Sequence, residues 1–215
     1  MALTKQKSGS ISHVERGVAK DERVVRTRKQ LDAAFVELLC RRAYGNIRVS
    51  DIARKARVGR ATFYAHYCSK DELLRSQFER IVAPMLAIKR DDPCLLDASA
   101  LLRHVQTAPR LFQALVVGPE SRSGPRILRE CFEQRVRQAL ELREGGAQAG
   151  GASFAMQRAI VTRAVASSLL AAIACWVESG MSQPVEEVQA IFSRLVAGGL
   201  AALGQAGGNS NRQKA

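Results

Sequence analysis

Two short helical periods, split by a three-residue break and followed by a helix cap, lie between Val49 and Leu74 and restrict this chain more than any other feature. Val49, Ile52, Ala53 and Ala56 mark one face of a two-turn helix, Arg57-Val58-Gly59 interrupts it, and a second short helix can run from Arg60 to Tyr67. Ser69-Lys70-Asp71-Glu72 has the spacing of a capping box just before Leu73-Leu74, with Ser69 as N-cap and Glu72 at the third helical position. Upstream, Leu31, Ala34, Phe35, Leu38 and Leu39 recur at i, i+3, i+4, i+7 and i+8, which predicts a first amphipathic helix from about Val24 to Arg41, ended by Tyr44-Gly45-Asn46. Basic segment, three helices and capped helix together suggest a helix-turn-helix unit, whose second short helix enters a DNA major groove.

The rest of the chain also reads as helices. The capped helix presents Leu74, Phe78, Ile81, Val82 and Met85, with Pro84 expected to bend it and Asp91-Asp92-Pro93 to stop it. Further helices are predicted over 97–106, 109–117 and 124–143, the last with Leu128, Cys131, Phe132, Val136 and Ala139 inward, and 145–151 reads as a loop. Two final helices are expected, at 153–179 and 184–203. The first is apolar on every side beyond Arg163, which asks for two buried faces: one on the chain's own core, the other, with Ala166, Ala171, Ala172 and Ala174, on a partner. A homodimer through these two helices follows. The fold class is all-α, an N-terminal three-helix unit and a larger helical domain, about nine helices in all. The expected division is a flexible basic arm over 1–22, the helix-turn-helix over 23–68, a helical domain over 69–204 that dimerises and that the family resemblance described below makes effector-binding, and a flexible tail over 205–215.

The chain has 33 Lys and Arg against 20 Asp and Glu, a net charge of +13, and the charge is uneven. Residues 1–80 hold 18 basic and 9 acidic groups, and the remaining residues 15 and 11. That asks for a polyanion at the N-terminal half. In the second short helix Gly59, Ala61 and Ala65 keep one side slim, while Arg60, Thr62, Tyr64 and His66 supply donors for base edges and phosphates; Val58 and Phe63 face the other helices. An enzyme finds no support: His13, His66 and His104 are dispersed, and Gly145-Gly146 and Gly150-Gly151 lack the Lys-Ser/Thr of a phosphate loop. Nothing marks the first residues for export, the apolar run Ala164–Val177 is short for a bilayer span, and no amphipathic helix suits a membrane surface, so a cytoplasmic location and no membrane partner are expected. Cys40, Cys68, Cys94, Cys131 and Cys175 have no paired spacing and read as small buried hydrophobes, not as a metal site, with Cys68 near a basic segment the one alternative as a reactive thiol. Trp176 reads as a packing anchor. No cofactor is expected.

The run from Val49 to Tyr67, followed by Ser69-Lys70-Asp71-Glu72-Leu73, resembles the TetR family of bacterial transcriptional regulators. It carries the family's order D-I-A, an apolar turn residue, T-F-Y, x-H, an aromatic, x-S-K and x-E-L, over about residues 26–75. The resemblance implies a recognition helix from Gly59 to His66, phosphate contacts at Tyr64 and His66, a backbone contact at Lys70, and an arm with Arg26 and Arg28 that reaches a neighbouring groove. Two positions depart from the pattern. Arg57 stands where Gly is usual and must take the turn's backbone angle, and Arg48 stands at a Thr/Ser N-cap, where it can reach a phosphate but offers no capping oxygen. The resemblance further implies a homodimeric repressor on a palindromic operator, released from double-stranded DNA by a small-molecule effector in an apolar pocket; an activator, or a repressor without a ligand, is the alternative on the same fold.

Overall fold

Helix α1, Ser8–Leu39, starts well before the amphipathic stripe that predicts it. In this computed structural model the described residues are 8–117, 123–144 and 152–209, with side chains described over 22–117, 123–143 and 152–201. The segment expected as a flexible arm is helical from Ser8, and it contains no proline to interrupt α1. Residues 1–7, the expected loop 145–151 and the last residues of the expected tail lie outside the described residues. The tail's first part belongs to a helix that reaches Asn209.

After α1, a single 3-10 turn at Tyr44–Asn46 leads into α2 (Val49–Lys55), α3 (Arg60–Tyr64) and α4 (Lys70–Gln77). Leu31, Phe35, Tyr44, Ile47, Ile52, Phe63, Tyr67 and Leu73 form the shared core of these elements, all essentially without solvent contact. Ser69 caps α4 as its sequence predicts: its hydroxyl accepts from the Glu72 N–H at 3.1 Å. The Glu72 carboxylate reaches back to the Cys68 N–H, one residue before the N-cap. Asp32 of α1 fastens the far side of α4, accepting from the Tyr67 hydroxyl and the Gln77 amide, both at 3.3 Å, and pairing with Arg80.

Beyond Gln77 the helix widens into a π-turn at Phe78–Val82 and then tightens into a 3-10 turn at Ala83–Met85. Pro84 has no N–H for the carbonyl four residues back, so the ladder changes pitch there. The change rotates Ile81, expected inward, to an exposed position, while Phe78 stays buried against Phe132. A two-residue antiparallel pairing follows, β1 (Ala87–Ile88) with β2 (Leu96–Asp97), Ala87 opposite Asp97. Sequence periodicity gives no sign of strands this short.

The larger domain is built from α5 (Ser99–Thr107), α6 (Pro109–Val116), α7 (Ser123–Glu144), α8 (Ala152–Glu178) and α9 (Val185–Asn209), making nine α-helices among the described residues. The inward positions expected on α7 are all buried. Helix α8 packs against α6, α7 and α9. It is long and apolar enough to cross a membrane by length and composition, more so than the run Ala164–Val177 suggests, and 44% of its most apolar window is buried inside the fold. It ends in a Schellman turn: Met181 N–H bonds to Trp176 O at 2.8 Å and Gly180 N–H to Val177 O at 3.2 Å, with Gly180 at φ 74°. Trp176 is buried, and its indole N–H donates to Gln183 O at 3.0 Å, fixing the entry into α9.

The cysteines divide against expectation. Cys94 and Cys131 are buried, but Cys40, Cys68 and Cys175 are exposed. The Cys68 thiol is held above its ordinary range by its hydrogen bond to Glu72, the opposite of activation by a basic neighbour.

Candidate nucleic-acid interface

The turn between α2 and α3 is where the sequence departs from glycine, and its geometry is that of a helix C-cap. Arg57 stands at φ 55°, the left-handed region expected of this position. Val58 N–H bonds to Ala53 O at 3.0 Å and Arg57 N–H to Arg54 O at 3.1 Å, the paired bonds of a Schellman motif, which ends α2 sharply and sets the direction of α3. At the other end of α2, Arg48 is the N-cap in extended conformation without a side-chain capping bond; the Asp51 carboxylate instead accepts the Arg48 N–H at 3.0 Å. Asp51 also holds Arg54 at 2.7 Å, and the Arg48 side chain stays exposed.

One residue anchors α3. Phe63 is fully buried and stacks edge-on against Tyr64, ring centroids 5.6 Å apart, whereas Arg60, Ala61, Thr62, Tyr64 and Ala65 are all exposed. Tyr64 leaves 50% of its surface in solvent, so its ring and hydroxyl are open to whatever approaches α3. Gly59 is the N-cap at φ −70°, a conformation open to any residue, and a Cβ there would meet nothing nearer than Thr62 Oγ1 at 3.8 Å. Neither the backbone nor the interior requires a glycine, so the slimness of Gly59, Ala61 and Ala65 bears only on what approaches from outside. His66 is half-buried beside Tyr67.

The flanking basic residues take different places. Arg26 and Arg28 are exposed on α1, and the Arg28 guanidinium lies 5.8 Å from the centre of the Tyr67 ring, just beyond the end of α3. Lys70 turns inward. Its ammonium donates to Ile47 O at 2.8 Å and Tyr44 O at 2.9 Å and lies 4.4 Å from the centre of the Tyr44 ring, and burial pushes it below the ordinary lysine range. It ties the start of α4 to the turn before α2. Sequence reasoning could not find this role, because the acceptors are main-chain carbonyls that leave no mark in residue type.

A second set of interactions, also absent from the sequence reading, joins α4 to the larger domain. The Tyr44 hydroxyl donates to Asp71, Asp71 faces Arg126 of α7 at 3.5 Å, Arg126 pairs with Glu130 at 2.6 Å, and Glu130 pairs with Arg75 at 2.9 Å. Arg75 holds the Glu130 carboxyl below its ordinary value.

Residues 31–76, which contain this helix-turn-helix, match the model of the tetR family of bacterial regulatory proteins. Over these residues the chain is similar to that family. The chain is 46% identical over 67 residues to the uncharacterized HTH-type transcriptional regulator YxbF of Bacillus subtilis (strain 168); the match covers 31% of this chain and only 18% of that relative, so the chain spans a small part of its length. Over the whole fold it is similar to a TetR transcriptional regulator from Streptococcus agalactiae, with 23% identity, a TM-score of 0.56, and 84% of this chain and 98% of the other covered. A tetR-family regulator from Streptomyces coelicolor matches with 18% identity and a TM-score of 0.56, over 84% and 82% of the two chains. These likenesses extend the shared fold beyond residues 31–76 to the helical domain behind them.

Proposed function

We propose that the chain is a cytoplasmic, homodimeric repressor of transcription, which reads a palindromic operator through α3 and releases it when a small molecule binds the domain formed by α5 to α9. The observation that carries the reading is the conjunction on α3 of one buried anchor, Phe63, with an otherwise solvent-facing helix that includes a half-exposed tyrosine. On this reading Arg60, Thr62, Tyr64 and His66 approach bases and phosphates, Gly59, Ala61 and Ala65 allow the backbone close to the duplex, and Arg26, Arg28 and Arg48 meet phosphates on either side. Lys70 contributes by holding the turn before α2 in place. No catalytic role is assigned to any residue.

The dimer is supported by an exposed apolar stripe on the last two helices. Met156 and Ile160 on α8 leave 64% and 59% of their surface exposed, and Ile191 and Leu195 on α9 leave 42% and 62%. Ala166, expected on this face, is instead buried in the chain's own core, and the exposed Ala164, Ala171, Gly198 and Gly199 continue the stripe with small residues that let a second pair of helices approach closely. Two copies joined here would form a four-helix interface and present two α3 helices roughly 34–36 Å apart, about one turn of DNA. A gel shift against the intergenic DNA beside the gene tests the reading: binding to one duplex in preference to a scrambled one is expected, and equal binding to both at moderate salt refutes it.

A further inference from the structure

The face of α8 that turns toward α7 carries a concentration of charge that DNA binding does not explain. A cleft of about 500 Å³ lies between the two helices, lined by Glu133, Arg137 and Glu141 from α7 and by Phe154, Arg158 and Arg163 from α8, with Ala155 and Ala159 beside them. Its volume is that of a small-molecule site. It borders the proposed dimer interface: at about 100° per residue, its α8 residues at 155, 158, 159 and 162 sit on the side away from Met156, Ile160 and Ala164, whereas Arg163 falls on the same side as Met156.

Three guanidiniums share one carboxylate in and behind this cleft. Arg163 Nε is 3.6 Å and Arg129 Nε 3.7 Å from Glu133 Oε1, and Arg137 Nη1 is 3.7 Å from Glu133 Oε2. All three distances are ion-pair distances, and all exceed the range of an N–H···O hydrogen bond. Glu133 is only 13% exposed at its side chain, so water reaches it poorly, and the buried Arg129 Nε has no hydrogen-bond partner. Arg158 pairs with Glu141 at 3.5 Å. Among the described residues three arginines therefore stand against the one carboxylate of Glu133, which does not fill their donor forks, and the Arg137 and Arg163 side chains are open to solvent.

We propose that this cleft binds a small amphipathic carboxylate. Its two oxygens bridge Arg137 and Arg163, where planar forks match a carboxylate and Glu133 supplies charge but no hydrogen bond. Its apolar body lies on Phe154, Ala155 and Ala159. The inference deepens the proposed effector and rests on that reading for its consequence at DNA: α7 carries Glu133 and, within two turns before it, the Arg126 and Glu130 that hold α4. A ligand that draws Arg137 and Arg163 away from Glu133 acts on that helix.

Calorimetric titration of the full chain, without DNA, tests the cleft, using hexanoate and benzoate as probes and hexanol, benzyl alcohol and inorganic phosphate as controls. Both carboxylates are expected to bind, with the alcohols and phosphate at least about tenfold weaker. Arg137→Met and Arg163→Met should each weaken binding about tenfold or more. Glu133→Gln, which removes the competing carboxylate, should strengthen it several-fold, a gain that a merely structural arginine cluster would not give. Arg137→Lys, which keeps the charge but not the fork, should fall between wild type and Arg137→Met, and it decides the matter if circular dichroism shows that the methionine variants have lost helix. No binding of either carboxylate, equal binding of the alcohols or of phosphate, unchanged binding in folded arginine variants, or weaker binding in Glu133→Gln overturns the proposal. Operator affinity is measured separately: hexanoate binding that leaves it unchanged upholds the cleft and refutes the effector reading, while failure to bind DNA at all leaves the calorimetric result standing.

Discussion

Arg57 holds a left-handed backbone at φ 55°, a conformation that costs an L-residue about 1 kcal/mol relative to glycine, and its side chain is exposed. The motif that ends α2 uses the backbone of this residue alone, so Arg57→Gly should keep the turn and raise unfolding free energy by about 1 kcal/mol in urea denaturation, whereas Arg57→Ala should give no such gain. Ala61 tests the opposite dependence. It is exposed on α3, so Ala61→Leu should leave stability within about 0.5 kcal/mol while weakening operator binding by roughly tenfold or more, through bulk on the side that must approach the duplex. An unchanged affinity in a gel shift would remove α3 from the interface. At this scale the sequence is a good guide where residue type decides the outcome: Phe63 inward, Tyr64 outward and Ser69 capping follow from pattern and chemistry. Lys70 and Cys68 do not, because one is held by carbonyls and the other by a glutamate whose reach depends on the folded turn.

Elements were legible in proportion to their amphipathicity. The stripe of α1 from Leu31 onward, the inward face of α7 and the two-turn α2 each follow from a 3.6-residue period, since one side faces a core and the other water. Residues 8–21 of α1 lack such a stripe, the π-turn before Pro84 shifts the register by a residue, and β1 and β2 are too short for alternation to be read; these are the places where expectation and structure part. The junction between α4 and α7 was not legible at all, because Asp71, Arg75, Arg126 and Glu130 meet only through the fold. It yields a pH prediction. Arg75 holds the Glu130 carboxyl below its ordinary value of 4.5, so the folded chain binds fewer protons there than the unfolded one. The stabilisation is complete above pH 4.5 and is lost as pH falls through the depressed value. Thermal melts should show wild type losing stability in that acid window, and Glu130→Gln should be less stable at neutral pH with a shallower acid limb; parallel curves for the two proteins would contradict the assignment.

Across the molecule, the excess of positive charge is greatest in the N-terminal part, and the most exposed large apolar side chains, Met156 and Leu195, lie on the last two helices. The excess of 18 basic over 9 acidic residues in the first 80 accompanies the helix-turn-helix, and the exposed Met156, Ile160, Ile191 and Leu195 accompany the last two helices. A dimer joined through the second and reading DNA through the first accounts for both. Ile160→Glu with Leu195→Glu should place like charges in the proposed interface and convert the dimer to a monomer in sedimentation, with helicity retained and operator affinity reduced by two or more orders of magnitude; a persistent dimer would move the interface elsewhere. Arg26→Gln with Arg28→Gln should weaken binding to all duplexes alike and reduce the salt slope by about one for each phosphate that is no longer neutralised. The most direct test of the central claim, that α3 reads sequence, is a fluorescence anisotropy titration of wild type and Tyr64→Ala on the operator duplex and on a scrambled duplex at one moderate salt concentration. The account predicts a wild-type preference for the operator and, in Tyr64→Ala, at least about tenfold weaker operator binding with an unchanged thermal melt. Equal affinities of wild type for the two duplexes, or an operator affinity that does not respond to the loss of Tyr64, would contradict it.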